Sequence, residues 1–195
     1  MGSVFRRKRR VRISSPSGTD VEFLTGGRWV LEDNGVCNRP GQIANLPAGK
    51  VFVFPKEGSM NGTIVIDGSW EGILLEEPLS LQIEKGMVVN ISGGDIANEI
   101  MESFEMAKAG IRSSKRDLIW TVAEFGFGMN PKATRIVGNR VEDLVVRGGA
   151  YFGFGDNTHL GGSARVGVHQ RGTIRAPEVL LEETSILSEG KVSIR

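Results

Sequence analysis

Apolar and polar positions alternate along the first half of the chain in short runs, each closed by Gly, Pro, Asn or Asp. Side chains of a strand point to opposite faces in turn, so such runs mark half-buried strands. The rhythm predicts strands at Arg10–Ser14, Val21–Leu24, Arg28–Leu31, Val51–Phe54, Thr63–Asp67, Gly72–Leu75, Leu79–Ile83 and Met87–Ile91. Turns are expected at Ser17-Gly18, Gly26-Gly27, Asp67-Gly68 and Lys85-Gly86, where glycine supplies the backbone freedom of a tight hairpin. The pattern then changes period. From Asp95 to Ala109 the apolar residues Ile96, Ala97, Ile100, Met101, Phe104 and Ala107 recur every three to four positions, which predicts an amphipathic helix with Asp95 as N-cap and Gly110 past its end. A shorter helix is expected over Val141–Val146, stopped by Gly148-Gly149. Strands resume at Tyr151–Phe154, Arg165–His169, Glu178–Leu181, Ser185–Leu187 and Val192–Ile194. The fold class is therefore α+β: a strand-rich, curled mixed or antiparallel sheet or partial barrel, with one long amphipathic helix and one short one.

Composition narrows what such a fold can do. The 195 residues are enough for one domain, with 27 Gly spread without a triplet period, which excludes collagen and implies many turns. Lys and Arg number 24 against 23 Asp and Glu, for a net charge of +1. That balance argues against a dedicated nucleic-acid binder. No apolar stretch reaches the roughly 18 residues of a membrane span, and residues 1–12 lack the apolar core of a signal peptide. A cytoplasmic protein without membrane partners is expected. Cys37 is the sole cysteine, so neither an internal disulfide nor a Cys-rich zinc site can form.

Charge is concentrated in one place, Phe5-Arg6-Arg7-Lys8-Arg9-Arg10-Val11-Arg12. Residues 1–10 are read as an exposed basic arm rather than a polyanion grip, because the overall charge is balanced, and no aromatic ladder interleaves with the cations to support single-strand binding. Gly126-Phe127-Gly128 lacks the third glycine of a dinucleotide cradle, and close backbone packing explains it better. Glu124 stands within the apolar run Trp120 to Gly128. A carboxylate turned inward there needs a partner, since burying it alone costs several kcal/mol. His159 follows a loop and His169 a short strand. Two imidazoles and a carboxylate form a donor set acceptable to zinc, cobalt, manganese or iron. A spacing of ten positions from one histidine to the other matches no compact zinc motif, and a hydrogen-bonded structural role for either is the competing reading.

Longer segments around these residues carry a resemblance. In order they are Asn45-Leu46-Pro47-Ala48-Gly49 with Val51-Phe52, then Ala123-Glu124-Phe125-Gly126-Phe127-Gly128-Met129-Asn130-Pro131-Lys132-Ala133, Gly138-Asn139 with Glu142-Asp143, Phe154-Gly155-Asp156-Asn157-Thr158-His159-Leu160-Gly161-Gly162, and Val168-His169. The set resembles the later half of the thermophilic metallo-aminopeptidase family, of leucyl aminopeptidase or aminopeptidase T type, which includes a ring-cleaving dihydroxypyridine dioxygenase branch. The resemblance covers the chain from about Val11 onward and makes residues 11–195 the metal-site domain, without the additional α/β domain with which members begin. It implies that Glu124, His159 and His169 stand at metal-ligand positions, and that the protein is a homodimer or larger.

Two departures alter the expected chemistry. Lys50 stands where the family places a ligand Glu, and Arg171 where it places an Asp two residues after the last His; a catalytic Tyr found in some members between the histidines is also missing. Cations at both positions would repel a metal pair and could pair with Glu124 instead. The main expectation is therefore an aminopeptidase-like domain with a degenerate metal site, without two-metal peptidase activity, acting in binding or assembly. The alternative is a mononuclear metalloenzyme, aminopeptidase or ring-cleaving dioxygenase-like, using Glu124, His159 and His169 on a peptide or small molecule. No catalytic residue is assigned. The two histidines are expected to face each other across one pocket with Glu124 at its floor, and Trp70, Ile73 and Leu75 to offer apolar surface for self-association.

Overall fold

The computed structural model describes residues 10–28 and 30–193. Its strands, in chain order, are β1 Arg10–Ser14, β2 Asp20–Leu24, β3 Val30–Asp33, β4 Lys50–Val53, β5 Asn61–Ile66, β6 Ser69–Trp70, β7 Ile73–Leu74, β8 Leu79–Glu84 and β9 Met87–Ser92, followed after the helix α1 (Gly94–Lys108) by β10 Val122–Gly128, β11 Ala150–Gly155, β12 His169–Ile174, β13 Glu178–Leu181, β14 Thr184–Ser188 and β15 Lys191–Val192. They form two antiparallel sheets that do not close into a barrel. One has the order β15-β14-β13-β1-β2-β5-β8-β9 and the other β3-β4-β10-β11-β12-β6-β7. The α+β class holds.

Alternation explains how the sheets meet. Val11, Ile13, Val21 and Phe23 turn one way from β1 and β2 and are all but fully buried, while Arg10, Arg12, Asp20 and Glu22 face out. From the other sheet, Val51, Val53, Phe125, Phe127, Phe152 and Phe154 join the same apolar cluster. Phe23 meets Phe125 edge-on across the gap, with ring centroids 5.8 Å apart. Helix α1 covers part of this core through Ala97, Ile100 and Phe104, the i, i+3, i+7 stripe of an amphipathic helix. Gly93, not Asp95, occupies its cap, at φ 134. A Cβ on Gly93 would lie 2.4 Å from the Pro78 carbonyl oxygen, so the chain enters the helix too close to its neighbour for a capping side chain. Asp95 sits in the first turn, where its charge suits the helix dipole.

Other departures from the alternation have local causes. The expected helix over Val141–Val146 is a single 3-10 turn, Asp143–Val145. The Asp143 carboxylate accepts the backbone N–H groups of Val137, Gly138 and Asn139 and the Ser69 hydroxyl, and so knots the loop instead. The strand expected at Arg165–His169 begins only at His169. Val166 and Gly167 donate their N–H groups to Asp156 Oδ2 at 2.8 and 2.9 Å, taking them out of any ladder. A 3-10 helix over Ser113–Trp120 has no periodic signal in its charged sequence. Trp70 is buried, stacked on Phe154 at 5.2 Å, so the expected self-association surface loses its largest member, while Ile73 remains 58% exposed. The expected basic arm lies outside the described residues up to residue 9, and Arg10 opens β1. Ile194, the last residue of the expected final strand, also lies outside them. No described helix is long and apolar enough to cross a membrane.

Candidate active site

The site is built on the outer face of the seven-stranded sheet by two similar sequences, Phe125-Gly126-Phe127-Gly128 on β10 and Phe152-Gly153-Phe154-Gly155 on β11. Phenylalanines fill the core side, so glycines lie on the other face. A Cβ at Gly126 would fall 2.4 Å from the Tyr151 ring, and one at Gly153 would fall 2.5 Å from His169 Nε2 and 2.9 Å from Glu124 Cβ. These glycines let larger side chains lie down over the sheet, which is the close packing expected of Gly126-Phe127-Gly128. Register brings the partners together: Glu124 is opposite Gly153, and Gly153 is opposite Arg171.

Glu124 is 2% exposed and fully engaged. Its Oε1 accepts the Tyr151 hydroxyl at 2.7 Å. Its Oε2 meets His169 Nε2 at 3.0 Å and accepts Arg171 Nε and Nη2 at 3.2 and 2.9 Å. Burial pushes the Glu124 carboxyl upward, but the His169 hydrogen bond, the charges of Arg171 and His169 and the Tyr151 hydroxyl outweigh it and hold it at about 2. Tyr151 moves the other way, well above the ordinary phenol value, through its own burial and the neighbouring Glu124 charge.

His169 is oriented from behind. Its Nδ1 lies 2.8 Å from the backbone oxygen of Asp156; a carbonyl only accepts, so Nδ1 carries the proton. Nε2 is then the ring nitrogen that faces Glu124. The Asp156 carboxylate holds the same loop through Thr158 N and Oγ1, Val166 N and Gly167 N. Burial raises the Asp156 carboxyl, yet these bonds bring it well below the usual range. Sequence inspection missed Asp156 and Tyr151. Asp156 lies three residues before His159 in a glycine-bounded loop, and its position there is the one signal that could have drawn attention to it.

His159 sits on the 3-10 turn Thr158–Leu160 and is exposed. It lines the same cavity as Glu124 and His169, about 610 Å³, together with Lys50, Phe52 and Phe54. Among the described residues no group of three His, Cys, Asp or Glu side chains is already drawn together tightly enough to hold an ion. Of the two cations expected to pair with Glu124, Arg171 does so; Lys50 pairs with Asp33 instead, Nζ to Oδ2 3.8 Å.

The fold is shared with solved structures. It superposes on wild-type AmpT from Thermus thermophilus with a TM-score of 0.72 at 16% identity, over 99% of this chain and 52% of that one. It superposes on 2,5-dihydroxypyridine dioxygenase from Pseudomonas putida KT2440 with a TM-score of 0.87 at 21% identity, over 100% of this chain and 57% of that one. The family model of 2,5-dihydroxypyridine 5,6-dioxygenase (NicX) matches residues 2–194; the chain belongs to that family. The curated 2,5-dihydroxypyridine 5,6-dioxygenase of Pseudomonas putida is 24% identical over 207 residues, covering 97% of this chain and 56% of its own length. The chain thus spans a little over half of the relative it matches. The resemblance to the AmpT type holds for the fold, and family membership lies with the 2,5-dihydroxypyridine 5,6-dioxygenase family rather than with a peptidase family.

Proposed function

We propose that the chain carries the ring-binding and metal-binding site of a ring-cleaving dioxygenase acting on a small hydroxylated aromatic. Family membership favours this over the aminopeptidase-like binding or assembly role expected first. The observation that carries it in the structure is the meeting of Glu124 and His169 at 3.0 Å in a cavity that His159 also lines. Two imidazoles and one carboxylate are the donor set of non-haem iron(II) oxygenases, and the Nδ1–H of His169, fixed on the Asp156 carbonyl, leaves Nε2 as the coordinating atom. The donor chemistry therefore fits one iron, held by Glu124, His159 and His169. Iron(II) bound there would supply the activation of dioxygen.

The protein's own residues do the rest. His159, exposed on its turn and lining the same cavity, would supply the third ligand. Arg171, whose side chain is 29% exposed, has room to yield its place on Glu124 Oε2. Phe52 and Phe54 give the cavity an aromatic wall, their rings 6.1 Å apart and inclined at 60°, against which a flat ring packs. The volume is that of an ordinary small-molecule site. With Lys50 and Arg171 near the carboxylate, a second metal ion is opposed by charge, so the chemistry is that of a single ion.

The protein reconstituted with iron(II) without air, then given 2,5-dihydroxypyridine and oxygen, is expected to consume oxygen in step with loss of the ring absorbance. His169→Ala abolishes both. Oxygen uptake absent from a fully iron-loaded protein, with cleavage of amino-acid anilides in its place, would overturn the dioxygenase reading.

A further inference from the structure

Among the described residues, three Lys or Arg side chains line the site cavity: Lys50, Arg140 and Arg171. Two of them are committed at close range. Arg171 holds Glu124 at 2.9 Å, and Arg140 Nε holds Glu71 Oε2 at 2.7 Å. Lys50 differs. Its ion pair with Asp33 is 3.8 Å long, beyond hydrogen-bond length, and the same Asp33 oxygen already accepts Asn45 Nδ2 at 3.2 Å. Yet the Lys50 side chain is only 14% exposed, so water cannot freely replace the missing acceptor. Its ammonium lies 5.7 Å from the centroid of Phe52, beside the wall proposed to receive the ring.

The placement follows from β4. Val51 and Val53 turn into the core, so Lys50 and Phe52 point together to the cavity. A ring lying on Phe52 and Phe54 would bring one edge to the Lys50 ammonium, in a cavity that Glu124, His169 and Arg171 also line. We infer that Lys50 is the specificity-determining residue of the pocket, its ammonium gripping an anionic oxygen, carboxylate or ionised hydroxyl, carried by the aromatic ring. This rests on the ring-binding reading above and narrows it to rings with an anionic substituent. Burial lowers the Lys50 ammonium's pKa, with Glu124 and Asp33 opposing and Arg171 adding to the fall; an anion bound at Nζ relieves that burial cost.

Calorimetric titration of the metal-free protein tests this without depending on turnover. The ligands are 2,5-dihydroxybenzoate, 2,5-dihydroxypyridine and hydroquinone, at neutral pH, against wild type, Lys50→Met, Lys50→Gln and Lys50→Arg. Wild type is expected to bind 2,5-dihydroxybenzoate at least about tenfold more tightly than hydroquinone, the worth of one charge-assisted hydrogen bond. Lys50→Met and Lys50→Gln erase that ratio, and Lys50→Arg restores most of it. A parallel loss for 2,5-dihydroxypyridine assigns the grip to an ionised hydroxyl as well as to a carboxylate. If wild type binds all three rings equally, or either neutral variant keeps the preference, the inference is overturned while ring binding stands. If no ring binds wild type, both fall.

Discussion

Glu124→Gln destabilises the metal-free fold by about 3 kcal/mol, as breaking one side of a buried ion pair does. The carboxamide can turn its NH2 toward the Tyr151 hydroxyl and keep an oxygen for Arg171, so shape survives. What is lost is the charge that His169 and Arg171 approach at 3.0 and 2.9 Å. The effect depends on pH with a definite sign. The folded carboxyl is held at about 2, below its ordinary 4.5, so its contribution is complete above about 4.5 and is lost as the pH falls towards 2. Unfolding by urea across this range is expected to show the wild-type advantage shrinking steadily on acidification. An advantage of constant size down to the lowest pH would mean that Glu124 is not ionised in the fold.

Gly153→Ala has the second large effect, and on function more than on stability. The new methyl would fall 2.5 Å from His169 Nε2, against a ring pinned from behind through Nδ1 by the Asp156 carbonyl at 2.8 Å. Overpacking of this kind costs about 1 to 3 kcal/mol. The imidazole must also tilt away from Glu124, and misdirecting a ligand lowers metal affinity by about 10- to 100-fold. Gly149→Ala is the control, since its nearest contact is an ordinary 3.5 Å. Iron(II) titration of the two variants is expected to separate them by at least about tenfold. Equal affinities would show that His169 is not held where iron binds.

Much of this framework is legible in the amino-acid order, because alternation acts locally. β1 and β13 fall where their apolar residues place them, and the helix needs only its three-to-four spacing. Glu124 is recognisable for the same reason, as a carboxylate among apolar neighbours that burial obliges to find partners. What sequence conceals is which distant groups meet. Lys50 finds Asp33 on the adjacent β3, where register sets Asp33 opposite it, and no local pattern distinguishes Asp33 from Glu124 as its partner. The late start of β12 has a similar origin, since a carboxylate ten residues upstream takes the N–H of Val166. Tyr151 is invisible as a site residue because its ring reads as one more aromatic in a core strand, and only the glycine across the ladder gives its outer face room.

The proposed iron site is tested most directly by anomalous diffraction at the iron absorption edge from crystals of protein loaded with iron(II) without air. The account predicts one peak within coordination distance of a Glu124 carboxylate oxygen and His169 Nε2, with His159 drawn in as the third ligand and Arg171 displaced from Oε2. Crystals from a saturating iron solution that show no peak there, with the Arg171 guanidinium still on Glu124, would contradict it.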